Sequence, residues 1–160
     1  MNSTSIGNIE GCEIRLEQAP DGQERAWWTA KAAIDCDGGT NPHHDPCWQP
    51  DTTLRFNGHS IDADVVPFIV VPPLVIQRTR GVVMGCKARA SYRGRSVDCV
   101  VADIGPRRKI GELSPAAAEA IGLDPNPNHG GTDSHEVTYE IWPSIPATVN
   151  GTTYKLQPAR

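Results

Sequence analysis

No stretch of this chain is apolar for long enough to cross a bilayer. The longest candidate, residues 65–76, is broken by three prolines and falls short of the ~18 residues a span needs. There is no Cys-x-x-Cys pair, which argues against zinc fingers and thioredoxin chemistry. P-loop, dinucleotide fingerprint and nucleophile elbow are all missing. No basic stripe stands out and the formal net charge is −4, so nucleic acid is not an expected partner. Residues 1–9 lack a charged n-region and an apolar h-region, so no secretory signal is expected.

Backbone punctuation is abundant instead. The chain carries 14 prolines and 15 glycines in 160 residues, which favours many short strands and turns over a helical bundle. Its length suits one domain with one core. The five cysteines are an odd number, so at least one thiol is unpaired. Cys36 and Cys47 flank a polar loop, and a bridge between them would contribute about 3 kcal/mol if unstrained. The cysteines leave the compartment open.

The pattern along the chain is mostly period two. Residues 1–9 read as a flexible arm, and residues 10–160 as a single domain. Residues 11–17 alternate Cys12, Ile14 and Leu16 against Glu13, Arg15 and Glu17, which predicts a strand. Residues 26–34 predict a second, with Trp27 and Trp28 on opposite faces. A long polar loop follows at 35–51, of a length that is usually functional or covalently tied. Further strands are expected at 54–56, 67–71, 82–92, 96–102 and 136–142, with a terminal hairpin around Asn150-Gly151. Ser114-Pro115 opens the one clear helix, which stops at Gly122. Six to eight short strands with one or two short helices predict a mainly β protein, a small barrel.

One stretch carries chemistry. The apolar run 100–102 ends on Asp103, a turn and a basic loop follow, and Glu112 stands just before the helix cap. Carboxyl groups on rigid elements at a cleft are what acid–base glycoside hydrolysis requires. Burial would raise the pKa of one, while Arg107, Arg108 and Lys109 would hold another ionised. The plain structural alternative is that Asp103 caps the turn and Glu112 complements the helix dipole. Asp35 and Asp37 open the long loop beside a glycine pair, where they either line a cleft or stabilise a turn.

The segment 97–142 resembles the double-psi β-barrel shared by rare lipoprotein A, expansins and family 45 glycoside hydrolases. It does so through Asp103-Ile104-Gly105-Pro106, Leu113-Ser114-Pro115-Ala116-Ala117-Ala118, Ile121-Gly122 and the strand carrying Val137, Tyr139 and Ile141. From about Ala30 to Trp142 the chain also resembles glycoside hydrolase family 75, the chitosanases. The matching pieces are Ile34-Asp35-Cys36-Asp37-Gly38, Ile61-Asp62-Ala63, Val66-Pro67-Phe68-Ile69-Val70, Ile110-Gly111-Glu112 and Val137-Thr138-Tyr139.

These resemblances imply a six-stranded double-psi-type barrel with Asp103 and Glu112 as an inverting catalytic pair. The sequence leaves open which of the two is acid and which base; Glu112 is taken as the acid and Asp103 as the base. They also imply a chitosan-like amino-sugar polymer as substrate, no cofactor and no metal, a monomer, and secretion. Asp35 and Asp37 would attract glucosamine ammonium groups, and Asp35 can replace Asp103 as base on the family 45 pattern. The basic Arg107-Arg108-Lys109 departs from the usual acidic, polar loop of family 75 and is unfavourable beside a polycation.

Trp28 and Trp48 are candidate sugar platforms, although a core role is the ordinary fate of a tryptophan. His43-His44-Asp45-Pro46-Cys47 has no partner pair at ligand spacing, so no metal is expected there. Cys86 and Cys99 sit in predicted strands, where thiols are usually inert. Two rival functions remain. One is a peptidoglycan lytic transglycosylase or muramidase-like enzyme needing a single acid. The other is a non-catalytic, expansin-like carbohydrate-binding module.

Overall fold

A computed structural model describes residues 2–39 and 48–158. Its strands in chain order are β1 (Asn2–Ile9), β2 (Cys12–Gln18), β3 (Glu24–Ile34), β4 (Arg55–Phe56), β5 (His59–Ser60), β6 (Phe68–Val71), β7 (Cys86–Tyr92) and β8 (Arg95–Ile104). They continue with β9 (Glu112–Leu113), β10 (Thr132–Pro146), β11 (Thr148–Val149) and β12 (Thr152–Thr153). Helix α1 (Pro73–Arg78) lies between β6 and β7, and α2 (Pro115–Ala120) follows β9.

The alternation in β3 is the clearest link from sequence to packing. Ala26, Trp28, Ala30, Ala32 and Ile34 are buried, and the residues between them are not. One edge of β3 pairs with β10. The other is shared: β2 takes the first residues, Glu24 to Trp27, and β9 takes Ala33 and Ile34. That second pairing closes a six-stranded cycle, β3-β10-β7-β8-β6-β9 and back to β3. The closed barrel removes its own edges, as small β domains must. Two parallel pairs, β3–β9 and β6–β8, interrupt the antiparallel pattern. Trp28 and Tyr139 stack in the core with ring centroids 5.7 Å apart, and the Tyr139 hydroxyl donates to the Lys31 carbonyl at 2.7 Å.

Several local expectations are corrected. The segment read as a flexible arm is strand β1, paired antiparallel with β2 through a Glu10-Gly11 turn with both φ positive. It escapes pattern reading because most of it is exposed and polar, so no apolar alternation marks it. Helix α1 was hidden inside an apolar run. Pro73 fits its first position, but Leu74, Val75 and Ile76 read equally well as a strand. The strand expected at 82–92 starts at Cys86, because the backbone turns through Gly81 and Gly85 first. α2 forms as expected, with the Ser114 hydroxyl accepting from the Ala117 N–H at 3.2 Å. No helix among the described residues is long and apolar enough to cross a membrane.

Candidate active site

A β-bulge positions Asp103. On β6, Ile69 faces Val101 and Val70 faces Asp103, so Ala102 is an extra residue on β8. Bulges re-aim side chains at functional sites. The Ala102 carbonyl accepts the Leu54 N–H at 2.9 Å, which brings Thr53 against Asp103. Asp103 Oδ1 then accepts three hydrogen bonds. They come from the Thr53 hydroxyl at 2.8 Å, the Thr53 N–H at 3.2 Å and the Ile104 N–H at 3.2 Å. The carboxyl is buried and its orientation is held by backbone as well as side chain.

Asp35 follows β3 directly, tied down by its own N–H to the Leu113 carbonyl at 2.8 Å. Its Oδ1 accepts the Asp37 N–H at 2.8 Å. The loop beyond is held where Asp37 Oδ1 accepts the Gln49 N–H at 2.9 Å and the Gly38 N–H reaches the Gln49 carbonyl at 3.0 Å. Asp35 is hydrogen-bonded to Asp103, and its pKa is pushed far above the usual carboxylate range. Burial is the main cause, followed by the charge of Asp103, that hydrogen bond and the charge of Asp37. Asp35 therefore keeps its proton at neutral pH. Asp35, Asp37 and Asp103 each place an oxygen within 4.8 Å of the others, a spacing that a cation can also bridge.

Glu112 lies on β9, not at the helix start. Pairing with Ala33 fixes its backbone. Gly111 before it has φ of +92°, and a Cβ there would sit 2.2 Å from the Lys31 carbonyl oxygen, so only glycine permits this close strand approach. Gly105 leaves the space that Glu112 uses: a Cβ at 105 would lie 3.0 Å from Glu112 Oε2. The Glu112 pKa is raised, first by burial and then by the charge of Asp103, with Lys109 and Lys31 opposing. Asp35, Asp37, Asp103, Gly105 and Glu112 line one cleft of about 200 Å³.

The structure thus brings together four of the six residues singled out from sequence. The two tryptophans are not among the residues lining the cleft. Trp28 is fully buried, because it falls on the inward face of β3, and cannot stack on a ligand. Trp48 is half-buried and packed against the core. Arg107, Arg108 and Lys109 are exposed as a loop. Cys47, and with it the Cys36–Cys47 bridge, lies outside the described residues, as do His43 and His44. Cys86 and Cys99 are buried, and burial raises both thiol pKa values, as inert thiols require. Sequence reasoning missed Thr53, whose role arises only through the Leu54–Ala102 contact. It also missed Glu10, whose carboxylate accepts the Ile110 N–H at 2.9 Å and pairs with Lys31 at 3.6 Å, bracing the loop before Glu112.

No protein-family model matches the chain, and no curated protein is significantly similar to it.

Proposed function

We propose that this cleft is the active site of an inverting glycoside hydrolase, an endo-chitosanase acting on β-1,4-linked amino-sugar polymers. The observation that carries the reading is one cleft holding a glutamate whose pKa burial raises, Glu112, and an oriented aspartate, Asp103, on strands separated by β6. Two strand spacings put their backbones about 10 Å apart. Inverting enzymes hold their two carboxyl groups roughly 6.5–9.5 Å apart, to fit a water beside the sugar. Glu112, its pKa raised by burial, protonates the glycosidic oxygen. Asp103, steadied by Thr53, takes a proton from the attacking water on the opposite face. Asp35 holds its proton against Asp103, and Asp37 offers a half-buried carboxyl to a substrate ammonium. The chain resemblance to family 75 supports chitosan as the polymer.

A second reading is favoured by the Asp35–Asp103 hydrogen bond itself. The proton that Asp35 holds there can act as a single acid, as in a peptidoglycan lytic transglycosylase. One experiment separates the two: end-product analysis on chitosan, chitin and peptidoglycan with Glu112→Gln. The hydrolase loses nearly all reducing-end release, whereas the single-acid lyase keeps most of its turnover. If neither the parent nor any variant releases ends from any of the polymers, the enzyme reading is lost and a binding module remains.

A further inference from the structure

A cavity larger than the acidic cleft lies beside it. It encloses about 730 Å³ and includes Thr53 and Ile104 in its wall. Ile104 also lines the acidic cleft, and Thr53 donates to Asp103, so the two spaces meet at the β8 bulge. We infer that this groove is a flanking subsite for the same polymer and that it takes N-acetylated, uncharged sugar units in preference to free glucosamine.

The inference rests on the active-site reading above and deepens it. Its platform is Phe56, which is 37% exposed at the end of β4 and braced edge-on by Tyr154 at 5.4 Å. A ring held this way presents a fixed apolar face to the C–H face of a pyranose. The apolar part of the wall is Ile76, Val83, Met84 and Ile104, which suits an acetamido methyl and penalises a desolvated ammonium. The charge points the same way. Arg55 and Lys155 line the groove, and no carboxylate among the described residues does. The Arg55 guanidinium is occupied by Asp51 at 2.7 Å, Ser60 Oγ at 2.9 Å and the Gly58 carbonyl at 2.8 Å. Lys155 is exposed and makes no ion pair among the described residues. A glucosamine ammonium would meet that lysine, whereas an N-acetyl group meets a donor. The acidic cleft and the groove therefore differ in the sugar they favour, so the enzyme would act on partly acetylated chains.

The test is calorimetric binding of the N-acetylglucosamine tetramer and the glucosamine tetramer to the parent, Phe56→Ala and Lys155→Glu, with melting curves to confirm folding. Reducing-end release from chitosan is followed in parallel. Phe56→Ala should weaken the acetylated tetramer by at least tenfold and the glucosamine tetramer by under threefold. Lys155→Glu should improve the glucosamine tetramer several-fold relative to the acetylated one. Equal binding of the acetylated tetramer by the folded Phe56→Ala variant and the parent overturns the inference, as does no binding by the parent. Phe56-dependent binding without any chitosan hydrolysis upholds the groove and removes the active-site reading. Hydrolysis with Phe56-independent binding does the reverse.

Discussion

Asp35 and Asp103 are hydrogen-bonded to each other although β3 and β8, which carry them, are three strands apart whichever way the six-stranded cycle is followed. Two acids from opposite strands converge in a space too dry to let both ionise. That contact places a proton in the cleft and makes the site a chemical unit.

The first prediction concerns stability. Asp35 has a folded-state pKa above its ordinary 3.8. Below that value both folded and unfolded chains hold the proton and nothing is lost. As pH rises past it, the unfolded chain releases the proton and the folded chain keeps it, so stability falls until the folded pKa is passed. Asp35→Asn removes this penalty while keeping a donor toward Asp103. Its Tm should exceed the parent's by about 2–8 °C at pH 8, with the difference vanishing near pH 4. Melting curves at both pH values decide it. A variant less stable than the parent at pH 8 rules out the raised Asp35 pKa.

Catalysis should respond to Glu112 through its protonation state. With the pKa raised by burial, activity holds through mildly acidic pH and falls as Glu112 loses its proton. Glu112→Gln should lower kcat by about 10²–10⁴-fold with little change in KM, and the alkaline fall should disappear from whatever activity remains. An unchanged pH profile would remove Glu112 from the acid role.

Thr53 is a positioning residue. Thr53→Val deletes the 2.8 Å hydroxyl donor to Asp103 but leaves the backbone N–H. A fall of about tenfold in kcat is expected, with KM little changed and Thr53→Ser restoring the parent values. If Thr53→Ser is as impaired as Thr53→Val, packing rather than the hydroxyl matters.

Gly105→Ala tests the space beside Glu112. The added methyl would lie 3.0 Å from both Glu112 Oε2 and Val70 Cγ1. The glutamate must move, and a misplacement near 1 Å can cost about 10²-fold in rate. Activity should drop by that order while Tm changes by only a few degrees. Parent-like kcat would show that Glu112 has no fixed catalytic position.

Trp28→Ala provides the contrast. The side chain is fully enclosed and stacked on Tyr139, so its loss should cost about 3–5 kcal/mol by denaturant titration. A selective loss of substrate affinity at unchanged stability would instead return Trp28 to the ligand.

The barrel was legible wherever burial alternates along a strand. β2 and β3 announce themselves by period, β8 by a continuous apolar run, and the helix after Ser114 by its cap. β1 did not, because an exposed polar edge leaves no apolar trace, and α1 did not, because a one-turn apolar helix and a strand share a composition. The tryptophans show the same limit from the other side. Period two placed Trp27 and Trp28 on opposite faces, but which face was inward depended on β10 lying across β3.

Local order along the chain was enough to single out Asp35, Asp37, Asp103 and Glu112, because each stands where an apolar segment meets a turn. Their meeting was decided by barrel closure. The β3–β9 pairing, the bulge at Ala102 and the Leu54–Ala102 contact join residues up to 79 positions apart. Such contacts depend on strand register and chain crossing, which no local pattern encodes. Asp35 keeps its proton only because closure buries it beside Asp103.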